Sequence, residues 1–350
     1  MYNKQTNKQT KNRIFYLDIL NILACIAVLM LHHNGIVHNY DVTTLAWKQS
    51  LAFEVLFYWA VPVFFMLTGA TLMRFLEKYS VREFFIKRLV KTFLPFLFFS
   101  LVLSIYFYSR GEYRPNSFQE LLSDIFMTRV PEGWAYWFFL PLFSLYTLLP
   151  VLSFLRNNKK ILWYIVSGIF ITQSCLPLIF QLFRVQYNWD IVFPFSGYVL
   201  FLLLGFLLSE SSPSRKFRFL IYFLGVLGAL FRYFGTYYYS ILSGSLDRFL
   251  FSYMQFHSVL LAVAVFVFIK EITKITFNKN LVGFIRGLSS CSFGIYLIHV
   301  FVMYKIELPI LNITPDNVYW RFVGAFLTYS LCLTIVFLVK KIPYVKSIFP

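Results

Sequence analysis

Long apolar runs alternate with short polar breaks along this chain, and the pattern predicts about ten membrane-crossing helices. The runs cover roughly residues 14–35, 51–72, 89–108, 134–155, 161–180, 191–208, 219–238, 250–269, 288–304 and 319–339. About 20 apolar residues in a helix, rising about 1.5 Å each, cross the hydrocarbon core of a bilayer. The first run is the most informative. Its polar residues Asp18, Asn21, Cys25 and His32 follow one another at offsets of three, four and seven, which places them on one narrow helical face. Ionisable groups inside a membrane helix are costly and usually point at a partner or a wet cavity. This face therefore predicts a site-lining helix, with a carboxylate near one end and an imidazole near the other. The plainer alternative is two interfacial residues at opposite helix ends. Pro62 predicts a kink in the second run, because it removes a backbone donor. Residues 118–127 predict a short amphipathic helix in the longest break.

Composition changes the picture little. Hydrophobic residues make up 59% of the chain and charged residues 13%, against about a quarter charged in soluble proteins. The expected fold class is all-α, a polytopic transmembrane helix bundle. It comprises a basic tail at 1–13, one membrane domain at 14–340 and a short tail at 341–350. The net charge of +17 raises the question of nucleic acid, but its distribution answers it. The breaks on one side hold 23 Lys and Arg against 9 on the other. That is the positive-inside pattern: it places both termini in the cytoplasm and implies anionic lipid, not nucleic acid, as the partner of the basic breaks. The four cysteines, Cys25, Cys175, Cys291 and Cys332, lie in apolar runs and form no C-x-x-C pair. Neither a metal site nor a disulfide framework is expected, and the thiols read as small buried hydrophobes.

Candidate chemistry gathers toward the outer side. The chain has five histidines, and His32, His257 and His299 fall in the outer halves of different helices. Glu54 and Arg232 lie at outer helix ends, and Trp137 is part of an aromatic helix entry. An imidazole exchanges protons near neutral pH, and a neighbouring carboxylate or arginine can orient it or stabilise an oxyanion. Any one of these histidines alone is better read as a bundle hydrogen-bonding residue. On the inner side Arg82, Lys87 and Arg88 are suited to phosphate, although the positive-inside rule also explains them. No H-E-x-x-H, Walker or G-x-S-x-G motif is present.

Several segments, taken in order, resemble the integral-membrane acyltransferase 3 family. They are Tyr16-Leu17-Asp18-Ile19-Leu20-Asn21 with His32, Val61-Pro62-Val63-Phe64-Phe65 through Gly69, and Phe85-Ile86-Lys87-Arg88-Leu89 followed by Pro95. Tyr136-Trp137-Phe138-Phe139-Leu140 with Tyr146 and Pro150 comes next, and Ser292-Phe293-Gly294-Ile295-Tyr296-Leu297-Ile298-His299 closes the set. The resemblance implies a membrane O-acyltransferase that moves an acyl group, commonly acetyl from acetyl-CoA, onto a sugar hydroxyl of a surface or lipid-linked glycan. By the same resemblance His32 is the general base or a transient acyl carrier, with Asp18, Asn21 and His299 as its catalytic company. Arg88, Lys87 and Arg82 meet the donor phosphates. Glu54, Trp137, His257, Ser292 and Tyr296 line the acceptor side. The setting is a bacterial cytoplasmic membrane, with acyl-CoA a donor substrate and no resident cofactor. Two departures stand out. Asn21 occupies the position, eleven before His32, where the family pattern has a basic residue. Ala135 and Tyr136 stand where a histidine is common. A glycan transporter or flippase, or an inactive scaffold for polysaccharide export, are the rival readings.

Overall fold

A computed structural model of the chain describes residues 14–343 and 349, apart from 189, 192, 276, 315 and 316. The tail at 1–13 and most of 341–350 lie outside the described residues. Among the described residues, ten helices pack side by side: α1 (Phe15–His32), α2 (Leu45–Glu77), α3 (Val81–Ser109), α4 (Trp134–Phe154), α5 (Lys159–Leu182), α6 (Val199–Ser209), α7 (Arg215–Ser243), α8 (Phe256–Ile272), α9 (Lys279–Leu311) and α10 (Val318–Lys341). Eight are long and apolar enough to cross a membrane; α6 has 11 residues and α8 has 17. No strand occurs among the described residues. Large apolar side chains such as Phe154, Phe223 and Phe234 face outward, as a lipid-contacting surface requires. The amphipathic helix expected in the long break forms over Phe118–Phe126.

Helix α1 sits at the centre, against α2, α8, α9 and α10. Helix α6 is enclosed, with every residue from Val199 to Leu208 buried. Glycine makes this possible. A Cβ on Gly205 would overlap the backbone of Met66 in α2, and one on Gly69 would overlap the backbone of Leu202. The two helices thus touch backbone to backbone through a reciprocal pair of glycines, as small residues permit. The sequence places this helix at 191–208, but helical structure begins only at Val199. Its last carbonyls are satisfied by Lys270 of α8, whose Nζ donates to the carbonyls of Leu208 at 2.7 Å, Ser209 at 2.9 Å and Ser211 at 2.6 Å. A cation at a helix C-terminus also complements the dipole.

Prolines shape the longer helices. Helix α2 breaks at Tyr58 and Trp59, where Pro62 cannot supply the next backbone donor. Helices α3, α5 and α9 each contain a π turn, at Leu89–Phe93, Phe170–Cys175 and Met303–Glu307. Each turn runs directly into a Leu-Pro pair: Leu94-Pro95, Leu176-Pro177 and Leu308-Pro309. The proline ring would clash with the carbonyl four residues earlier, and widening the preceding turn relieves this. Helices α2, α7 and α9 extend past the bounds read from hydropathy because their polar ends remain helical.

The two faces of the bundle differ. At the face where α1 begins, Arg74 binds Glu77 at 2.6 Å and Glu210 at 3.0 Å, and Arg156 meets Glu77 at 2.9 Å. Lys340, near the end of α10, donates to the carbonyl of Ser290 at 2.7 Å, while Asn21 bonds the neighbouring Ser289. The start of α1 and the end of α10 therefore lie on the same face.

A histidine-lined cavity at the end of helix α1

A cavity of about 280 Å³ opens where α1 ends, walled by residues of α1, α2, α4 and α9 and by Tyr253 before α8. His32 occupies its wall as the last residue of α1. Its ring centroid lies 5.1 Å from that of His299 and 4.9 Å from that of Trp134. His299 is 1% exposed. Its Nδ1 stands 2.6 Å from the carbonyl oxygen of Tyr296, and a carbonyl only accepts, so Nδ1 carries the proton. In the neutral ring Nε2 then presents its lone pair, and it is buried without a hydrogen-bond partner among the described residues. Of the imidazole pair, His32 meets the cavity, and His299 stands against it in the tautomer a base requires.

The other walls give the cavity an aromatic and a polar side. Trp137 and Tyr253 stack at 6.0 Å with an interplanar angle of 14°. Glu54 is buried, and its Oε2 accepts from Asn34 Nδ2 at 3.4 Å. Tyr296 contributes its ring. Its hydroxyl donates to the carbonyl of Ala135, and that of Tyr136 donates to the carbonyl of Leu297, so two tyrosines clamp the start of α4 to α9.

The remaining expected residues lie elsewhere. Asp18 is 14 positions before His32, about 21 Å along the helix, and it lies 4.0 Å from Arg286 of α9. Asn21 donates to the carbonyl and hydroxyl of Ser289 at 2.9 and 3.0 Å. These two residues share a face with His32 but not a site. The charge absent at Asn21 is present on the adjacent helix, where Arg286 precedes Ser289 by one turn. Ser292 is buried between the two ends, and Cys25 Sγ contacts its carbonyl at 3.9 Å. His257 is also not a cavity wall. Its ring nitrogens face Gln255 at 3.0 Å and Ser258 at 3.2 Å, and Gly228 of α7 packs on its backbone. Arg82 is exposed, Lys87 pairs with Glu83 at 2.6 Å, and Arg88 lies between the rings of Phe84 and Tyr146. All three lie at the start of α3, on the face where α1 begins.

His33 faces away from the cavity, as a step of about 100° from His32 dictates. Its Nδ1 donates to the carbonyl of Leu29 at 2.7 Å, and its Nε2 lies 2.9 Å from the hydroxyl of Thr328 in α10. The same hydroxyl is bonded to the buried carboxyl of Glu307 in α9. A hydroxyl has one proton to give, so one of its two neighbours must donate to it. Glu307 and Thr328 escaped the sequence reading because the ninth apolar run ends at 304 and a lone threonine carries no signal. The i,i+1 histidine pair was the available clue.

The fold defines a multi-pass helical membrane protein, and at one end of its bundle a cavity is lined by histidine and aromatic side chains. A family model described as an acyltransferase domain matches residues 14–339, and the chain belongs to that family, acyltransferase 3. It is a membrane acyltransferase. No curated protein and no solved structure matches the chain.

Proposed function

We propose that the protein is an O-acyltransferase that moves acetyl from acetyl-CoA to a sugar hydroxyl of a surface or lipid-linked glycan, in a bacterial cytoplasmic membrane. The observation that carries this reading is the His32–His299 pair, whose His32 lies in the wall of an aromatic-lined cavity. Aromatic faces such as Trp137 and Tyr253 suit the apolar face of a sugar ring, and Glu54 suits its hydroxyls. The acceptor oxygen attacks the thioester carbonyl carbon. A C–O bond forms, the C–S bond breaks, and the hydroxyl proton passes to His32 and leaves with CoA as the thiol. His299 lies behind His32 as a second proton acceptor. Such base catalysis contributes about 10²–10⁴ in rate. The donor nucleotide belongs at the opposite face, near Arg88, Lys87 and Arg82, with Arg286 supplying the cation that Asn21 lacks. The thioester then has about 21 Å of α1 to climb.

The test compares glycan acetyl content in cells carrying the wild type, His32→Ala or no copy of the gene. We expect His32→Ala to match the null while acetyl-CoA binding by the purified variant is retained. Normal acylation in His32→Ala overturns the catalytic assignment.

A further inference from the structure

Arg232 of α7 takes no part in the chemistry above, yet it is 2% exposed and its Nε, Nη1 and Nη2 have no hydrogen-bond partner among the described residues. A guanidinium carries five donors and does not shed its proton. Burying a guanidinium without an acceptor costs more than burying an ordinary polar group does. Its carbon lies 3.4 Å over the ring of Tyr58 and 4.8 Å from that of Phe251. Those π faces offset part of the cost and fill none of the five donor positions.

The surroundings connect Arg232 to the cavity. Its charge acts on Glu54 and Tyr253, which are both cavity walls. Tyr58 stacks on Tyr253 at 4.2 Å, and Tyr253 on Trp137 at 6.0 Å. The guanidinium thus caps a ladder of three rings whose far members, Tyr253 and Trp137, face the cavity. A second cation stands nearby. Arg248 also acts on Glu54, and its Nη2 lies 3.5 Å from Nδ1 of His38, another cavity wall. Behind the Glu54 side of the cavity, two guanidiniums therefore act on one carboxylate.

We propose that Arg232 and Arg248 form an anion subsite on the Glu54 side of the cavity, which takes a phosphate or carboxylate carried by the acceptor close to the hydroxyl to be acylated. The inference rests on reading the cavity as the acceptor chamber. A guanidinium fork pairs bidentately with either anion. Glu54 repels an anion approaching alone and accepts from a hydroxyl. The arrangement therefore favours ligands that carry both groups on neighbouring carbons, such as a polyol phosphate or a uronic acid, over neutral sugars.

The experiment uses the purified full chain in detergent at matched ionic strength, with binding read by calorimetry and by thermal unfolding. The probes are glycerol 3-phosphate, glucuronate, glycerol and glucose. We expect one or both anionic probes to bind and raise the unfolding temperature where the neutral ones do not, and the stronger identifies phosphate or carboxylate. Arg232→Gln should abolish the response. Arg232→Lys and Arg248→Ala should each weaken it about tenfold, the effect of losing one charge-assisted contact. Arg248 lies outside the helices, so its variant keeps the test decisive if Arg232→Gln does not fold. His32→Ala should bind the anionic probes normally, so a failure of the catalytic assignment registers separately. Equal responses to glycerol and glycerol 3-phosphate overturn the proposal, as does an anion response of undiminished affinity in the Arg248→Ala and Arg232→Lys variants.

Discussion

Two adjacent histidines do different work because one residue of helix turns them about 100° apart. His32 meets the cavity, and His33 is bonded to Leu29, Thr328 and, through the threonine, Glu307. Thr328→Val keeps the shape but removes the bridging hydroxyl, leaving a buried imidazole nitrogen and a buried carboxyl without their partner. Losses of this kind cost about 1–3 kcal/mol. We expect Thr328→Val to lower the unfolding temperature clearly and Thr328→Ser to stay near wild type. An unchanged Thr328→Val would show that the chain of bonds contributes nothing to stability. The polar stripe on α1 was legible at this scale, since its spacing marked Asp18, Asn21 and His32 as one face. What spacing does not encode is depth: residues on one face of a long helix share a direction and still sit about 21 Å apart. Nor does it show which partner across the interface answers them. Ser289, Arg286, Thr328 and Glu307 all come from helices more than 250 residues further along the chain.

The buried helix α6 depends on what is absent from its surface. Gly205 lies against the backbone of Met66, and a methyl group there has nowhere to go because backbone cannot rotate aside. Gly205→Ala should therefore separate α6 from α2. We expect a severe loss of folded protein in detergent extracts, whereas alanine at Gly283, which has open space around its Cβ position, should be neutral. Equal yields of the two variants would mean that the α2–α6 contact is not tight. The far end of α6 gives a pH dependence. Arg74's hydrogen bonds hold the Glu210 carboxyl below the usual carboxylate range. A carboxyl whose folded value is depressed contributes stability that is present above its unfolded value, near 4.5, and is lost as pH falls through the folded value. Unfolding temperatures measured downward from pH 6 should fall below about pH 4.5, and Glu210→Gln should flatten part of that fall. An identical slope in the variant would remove Glu210 from the account. Helix existence was legible in the hydropathy, and the ends were not. The extension at residues 279–287 remains helical behind its Asn278 cap, which an apolar window does not register.

The whole molecule has a cationic, ion-paired face where α1 begins and a cavity face where it ends. From the excess of Lys and Arg we propose that the first face is cytoplasmic; the structure places the start of α1 and the end of α10 on that same face. A reporter fused after Pro350 should read as cytoplasmic, and one inserted in the 109–117 segment as external. A reversed result would exchange the sides given above to donor and acceptor. Charge counting carried this reading because it sums over many residues and tolerates errors at each helix end. The cavity was beyond it, since a cavity is set by how helices rotate against one another.

That rotation has a local source in the π turn of α9. In a uniform helix eight residues advance about 800°, so Glu307 would point about 80° away from His299. The turn at Met303–Glu307 absorbs roughly one residue's worth of advance. Eight residues then behave as about seven, and the carboxyl comes back to within about 20° of the histidine's direction. Pro309 therefore acts as a phase shifter: a side chain that forces one wide turn resets which residues after it look toward α1. The heptad-like arithmetic used to read the first helix fails across each of the three Leu-Pro pairs by the same angle, and the correction is one residue, counted once per proline.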